Sequence, residues 1–259
     1  MTYGATMSTT FGSVLKEWRG VRRMSQLELG SLAEVSPRHI SFMESGRSKP
    51  SRPMVLHLTN VLEVPRAERN RFLGAAGYAP IYRAQDLEAP EMDQIRDAIS
   101  WTLQQHDPFP AIVLDRHWNI LQTNNSASMM FAMLSVDSDG SLLDVFLQDS
   151  DLKKRLDNWS EVGYFLLTRL RTESAALGGD AMLDAAIAQL VGDEEISPPS
   201  GAQLAPVLPA VFQIDDLRVS LFSTIAHFGS AEDIALADHR IELFFPADTA
   251  TRELLASLG

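Results

Sequence analysis

Within residues 25–46, SQLELGSLAEVSPRHISFMESG, the chain marks two helix starts and a helix stop in 22 positions. Ser25 followed by Glu28 is a capping box: the hydroxyl accepts from the backbone N–H three residues on, and the carboxylate accepts from the cap's own N–H. It predicts a helix over 26–33 with Leu29, Leu32 and Ala33 on its inner face. Ser36 caps a second helix that begins with Pro37, a position where the missing N–H has no partner to lose. Ile40 and Met43 return at the spacing of a buried stripe, and Gly46 stops the helix. Two short helices joined by a tight turn read as a helix-turn-helix, whose second helix enters the major groove of DNA.

The pattern S-x-R-H-I-S-F-x-E-x-G-R runs over 36–47, and RNRFLGAAGYAP follows at 69–80. With these two motifs the chain resembles the repressor-type (XRE) helix-turn-helix regulators, in their MmyB-like branch. The resemblance implies an all-α five-helix N-terminal domain, then an α+β, PAS-like C-terminal domain (an antiparallel sheet with flanking helices) that binds a ligand. One position departs from the family: Glu34 stands where glycine is usual in the turn. A side chain held at positive φ there is expected to cost about 1 kcal/mol.

At 259 residues the chain is long enough for two cores. It has no cysteine, which removes disulfides and thiolate metal sites. No apolar run of membrane-spanning length and no basic-plus-apolar leader is seen, so a cytoplasmic, nucleoid-associated protein with no membrane partner is expected. The net charge of −12 argues against nucleic acid until the chain is divided. Residues 1–83 hold 12 Lys+Arg and 6 Asp+Glu, net +6, whereas residues 84–259 hold 10 and 28, net −18. A basic module joined to an acidic one suits a chain in which one part meets phosphates and the other does not.

Taken in order, 1–9 reads as a disordered N-terminus, 10–83 as the DNA-binding domain and 84–90 (AQDLEAP) as a linker. Residues 91–259 read as the PAS-like ligand-binding and dimerisation domain. Helices are expected over 11–22, 52–62 and 65–76 around the central pair, the last stopped by Gly77. After a helix over 92–105, AIVLDRHWNILQTN predicts a β-hairpin in which Trp118, Ile120 and Leu121 form the returning strand. A Met-rich helix follows over 124–134, then a single helix over 152–171 broken later by Gly178 and Gly179, then another over 182–191. VFQI, LRVSLFSTIAHFG and HRIELFFPAD predict antiparallel strands that complete the sheet, and a short helix closes the chain.

The second reader helix is expected to present Pro37, Arg38, Ser41 and Phe42 to base edges, with its cap Ser36 also among the DNA-binding residues. Arg38 has the fork that pairs with guanine, and Phe42 is suited to a thymine methyl or to the neighbouring helix. His39 is a candidate for a phosphate or for its own helix. Gln26, at a helix N-terminus, is placed to hold a phosphate. The resemblance implies a basic backbone contact at Arg19 and a clamp from Ser45, Arg47 and Lys49, while Glu44 ties helix to helix. Partners are then a double-stranded DNA operator and a second copy of the chain, because one such module makes too few contacts to choose a site.

For the second domain, the PAS-like resemblance suggests an apolar cavity with Leu121, Met129, Met130, Met133, Phe165 and Phe222 as lining candidates. Arg169 is a candidate for facing a ligand carboxylate or for an ion pair. No bound cofactor is expected beyond a non-covalent, small hydrophobic effector such as a fatty acid. No nucleophile elbow, zinc-protease motif, phosphate loop or dinucleotide fingerprint occurs, so catalysis is not expected. His227, Asp233, Asp238 and His239 are close in sequence, but their spacing matches no metal geometry. A C-terminal domain that binds only proteins remains the competing reading.

Overall fold

A side-chain oxygen starts four of the five helices of the N-terminal unit in the computed structural model, which describes residues 10–82, 88–136, 140–148, 150–199, 207–228 and 233–258. These helices are α1 (Phe11–Val21), α2 (Gln26–Leu32), α3 (Pro37–Glu44), α4 (Arg52–Val61) and α5 (Arg66–Ala75). Thr10 and Ser25 each complete a capping box, and Ser36 and Ser51 accept from the N–H three residues on. Only α5 starts without such a bond, at Pro65. The expected elements are all present, within a residue or two of their expected ends.

Val14, Leu15, Leu29, Ile40, Met43, Leu58 and Phe72 fill the core, with the Phe72 ring edge-on to Phe11 at 5.9 Å. Leu32, expected inside, is exposed instead. It sits at the last residue of α2, where the chain already leaves the core for the turn. Glu34 holds the anticipated left-handed backbone, at φ 52°, and the turn closes with Val35 N–H donating to Gly30 O at 2.8 Å. Gly12 lets α1 and α3 touch backbone to backbone. A Cβ at Gly12 would meet the Glu44 carbonyl oxygen and lie 2.7 Å from both Glu44 C and Met43 O. Gly12→Ala is therefore expected to cost about 2 kcal/mol, read as a lower unfolding midpoint, because neither backbone can move aside alone. An unchanged midpoint would show that the two helices are free to part.

The chain divides into two units, the first ending near Arg83. Residues 1–9, and most of the 84–90 linker, lie outside the described residues. After a short 3₁₀ turn come α6 (Asp93–His106), β1 (Ala111–Leu114), β2 (Ile120–Thr123) and α7 (Asn125–Leu134). Then follow α8 (Leu142–Gln148), α9 (Ser150–Arg155), α10 (Trp159–Leu177) and α11 (Ala181–Val191). The unit ends with β3 (Ala210–Ile214), β4 (Leu217–His227), α12 (Ile234–Asp238), β5 (Arg240–Pro246) and α13 (Thr249–Leu258). The strands form one antiparallel sheet in the order β2-β1-β5-β4-β3. β1 is apolar on both faces because both are covered: Ala111 and Val113 pack with Ile99, Leu103 and Ile241, while Ile112 faces the other way.

Two expectations are corrected. The single helix over 152–171 is two, because the backbone between α9 and α10 is drawn into the sheet edge. Asp157 N–H donates to Val211 O at 2.8 Å, and the Asn158 amide bonds Pro209 O (2.8 Å) and Val211 N–H (3.0 Å). Trp118 belongs to the hairpin turn and not to β2: its φ is 66° and its N–H donates to Asp115 O at 3.1 Å.

Candidate nucleic-acid interface and ligand cavity

The first turn of α3 is an exposed run of Ser36, Pro37 and Arg38. The Ser36 hydroxyl accepts from His39 N–H at 3.2 Å, which fixes how that turn leaves the chain. One turn on, the Phe42 ring carries two guanidinium groups, Arg38 at 5.2 Å and Arg47 at 5.9 Å from its centroid. Each such contact holds a long cation in place over the ring face. The Phe42 carbonyl accepts from Arg47 N–H (2.8 Å) and Ser48 N–H (3.1 Å), so the segment after the helix is tied to the same residue. Ser45 donates to that carbonyl at 3.3 Å, and Lys49 lies over Tyr78 at 5.8 Å. Ser41 and His39 are half-buried beside this surface.

Arg19 and Gln26 behave differently from the rest of the expected set. Arg19 Nε and Nη2 donate to the Glu44 carboxylate at 2.7 and 3.1 Å, and its Nη1 donates to Met24 O at 2.7 Å. Gln26 Nε2 donates at 2.7 Å to Glu44 Oε2, the oxygen that also accepts from Arg19 Nη2. The Glu44 side chain is 5% exposed and that of Arg19 15%. Both donors expected to reach phosphate are thus turned inward, and Glu44 ties α1, α2 and α3 together. Burial pushes the Glu44 carboxyl up, but the bonds from Arg19 and Gln26 and the Arg19 and Lys16 charges outweigh it and hold it low. The bond to Glu44 likewise raises Arg19 above its ordinary value.

In the second unit, α7, α8, α10 and one face of the sheet line a half-open cavity of about 380 Å³. Val162, Phe165, Leu166 and Arg169 reach it from one stripe of α10, meeting Ile112, Phe212 and Phe244 from the sheet. Of the expected lining residues, Met130, Phe165, Arg169 and Phe222 reach it; the Phe222 ring also stacks on Phe245 at 5.6 Å. Met129 and Met133 line a smaller void of about 20 Å³ against Leu254 and Leu258 of α13. Leu121, on the edge strand, is 40% exposed and lines neither.

Sequence reasoning named Arg169 but missed its partners at the polar end of the cavity. Arg169 Nη1 and Nη2 donate to the two oxygens of Glu242 at 3.1 and 3.2 Å, and its Nε donates to Glu173 at 2.9 Å. Ser223 donates to Glu242 at 2.7 Å, while Trp118 Nε1 and Arg240 bond Glu173 at 2.8 and 3.1 Å. The Arg169 and Arg240 guanidiniums lie over the Trp118 ring at 4.1 and 4.6 Å. Burial works against the Arg169 charge, but Glu242 and Glu173 more than offset it and raise its pKa. The available signal was a lone carboxylate within the otherwise apolar run IELFF of β5, where Glu242 is buried. Among the described residues no group of three or more His, Asp or Glu is placed to hold a metal ion, and no helix is long and apolar enough to cross a membrane.

A family model described as the MmyB-like transcription regulator ligand binding domain matches residues 95–258, and a helix-turn-helix domain model matches 10–72. No curated protein matches the chain. The solved structure of an RNA-binding light-oxygen-voltage receptor is similar over 96% of this chain and 63% of its own, at 12% identity and a TM-score of 0.28. With a helix-turn-helix unit at its head and the ligand-binding model spanning more than half its length, the chain belongs to the MmyB-like transcription regulators.

Proposed function

We propose that this chain is a one-component transcriptional regulator that binds a palindromic operator as a homodimer and answers to a small hydrophobic effector. The observation that carries the DNA reading is Arg38, exposed in the first turn of a capped, proline-started α3 and steadied by Phe42. Ser36, Pro37, Arg38, Ser41 and Phe42 address base edges, with Arg38 on guanine. His39, Ser45, Arg47 and Lys49 hold the phosphates. Arg19 and Gln26 act through Glu44, as positioning residues behind α3.

The cavity supports an effector with a long apolar body, such as an acyl chain, over a purely protein-binding domain. Its size falls in the usual range for small-molecule sites. The effector works by binding two arrangements of the dimer with different affinity. The second domain supplies the dimer surface, and the protein acts in the cytoplasm, at the nucleoid. Selection of bound fragments from random duplex DNA is the test. An inverted repeat with half-sites about one helical turn, roughly 10 base pairs, apart is expected. A lone half-site would contradict the dimer, and no enrichment at all would contradict DNA binding.

A further inference from the structure

We infer that the effector's polar end is uncharged, a hydroxyl, ester or amide on an apolar body, and that an ionised carboxylate is rejected. This rests on the reading of the cavity as the effector site. Among the described lining residues only Arg169, Ser223 and Glu242 bring charge or a hydroxyl. The cation among them is already paired. Arg169 holds Glu242 with two bonds at 3.1 and 3.2 Å and Glu173 with a third at 2.9 Å. Glu173 in turn pairs with Arg240 at 3.1 Å. Two guanidiniums face two carboxylates, so the cluster is neutral.

An incoming carboxylate would lose its water and arrive beside Glu242, whose side chain is only 6% exposed. To reach an unshared positive charge it would have to displace Glu242, leaving that carboxylate buried and unpaired. Arg240 offers no alternative. Its Nε and Nη2 have no partner among the described residues, but the residue does not line the cavity and its guanidinium lies over Trp118. A neutral head group needs no such displacement. Ser223 gives its proton to Glu242, so its oxygen remains an acceptor for a ligand hydroxyl. Arg169 donates through three of its five N–H groups, which leaves N–H groups for an ester or amide carbonyl.

Calorimetric titration of the full-length protein with decan-1-ol and with decanoate, at a pH where decanoate is ionised, is the test. The wild type should bind the alcohol at least about tenfold more tightly. Because an alcohol also partitions better into any apolar site, Glu242→Gln is the deciding variant. It frees the Arg169 charge, and the ratio should move towards decanoate by about tenfold or more. Should Glu242→Gln fail to fold, Ser223→Ala serves in its place and should weaken the alcohol several-fold while leaving decanoate unchanged. Decanoate bound as tightly as the alcohol by the wild type, or a ratio unmoved in these variants, overturns the inference and leaves the apolar effector standing. Binding of neither compound overturns the effector reading itself.

Discussion

Glu44→Ala is expected to cost the N-terminal unit about 3 kcal/mol, lowering its melting temperature by more than 10 °C. The substitution removes a carboxylate that accepts from Arg19 twice and from Gln26 once, at 2.7 to 3.1 Å. What remains is a guanidinium only 15% exposed with no counter-charge, and stranding one partner of a buried pair costs about 3–5 kcal/mol. The partial exposure of Arg19 places the effect at the low end. Glu17→Ala is the control, since Glu17 and Arg71 are 45% and 41% exposed and such pairs contribute at most about 1 kcal/mol. Thermal unfolding followed by circular dichroism separates the two.

The same bonds set a pH dependence. The folded Glu44 carboxyl is held below its ordinary value, so the unfolded chain takes up the proton first as pH falls. The stabilisation is present above the ordinary glutamate range, about 4.3, and is lost as pH drops through the lower folded value. Glu44→Gln, which keeps an acceptor without the charge, should remove this acid-side slope. A slope unchanged in that variant would assign it to other carboxylates.

Arg169→Ala is expected to cost the second unit a similar amount, about 3 kcal/mol, by leaving Glu242 buried without its bidentate partner. Trp118 also loses the guanidinium that covers it at 4.1 Å. The double variant Arg169→Met, Glu242→Met should recover most of the loss, because replacing both ions by apolar groups removes the stranded charge. A coupling energy above about 1.5 kcal/mol in the double-mutant cycle is the expected signature. Additive losses would mean that the two side chains are not held together in solution. Denaturant unfolding read at the two units separately gives the energies, since a two-domain chain need not unfold in one step.

These two pairs also show where sequence reading succeeds and where it stops. The caps of α1 to α4 are local, each within three residues of its helix start, and could be read directly. Glu44 could be read as well, since a carboxylate facing phosphates is repelled. Arg19 and Gln26 could not be placed, because residue type says that a donor exists and not where it is aimed. The Arg169–Glu242 pair joins residues 73 apart in sequence, a link that only the meeting of α10 with β5 creates. The break between α9 and α10 has the same origin, a helix pattern overridden by pairing with β3. On α7 only Met130 is buried, Met129 being exposed and Met133 half-buried, and one turn of helix separates the cavity from the void under α13. Met130 touches both, while Met129 and Met133 touch only the second. Leu121 shows that an apolar residue at strand spacing does not reveal whether its strand will be central or an edge.

The most direct measurement titrates wild type, Arg38→Ala and Arg47→Ala against the selected duplex and its single-base variants over a series of salt concentrations. Arg38→Ala should forfeit about 1–3 kcal/mol of discrimination at one base position while still binding DNA. Arg47→Ala should weaken all duplexes alike and lower the salt slope by about 1. Identical behaviour of the two variants, or a wild-type protein that ignores duplex DNA even at low salt, would contradict the assignment of α3 as the reader.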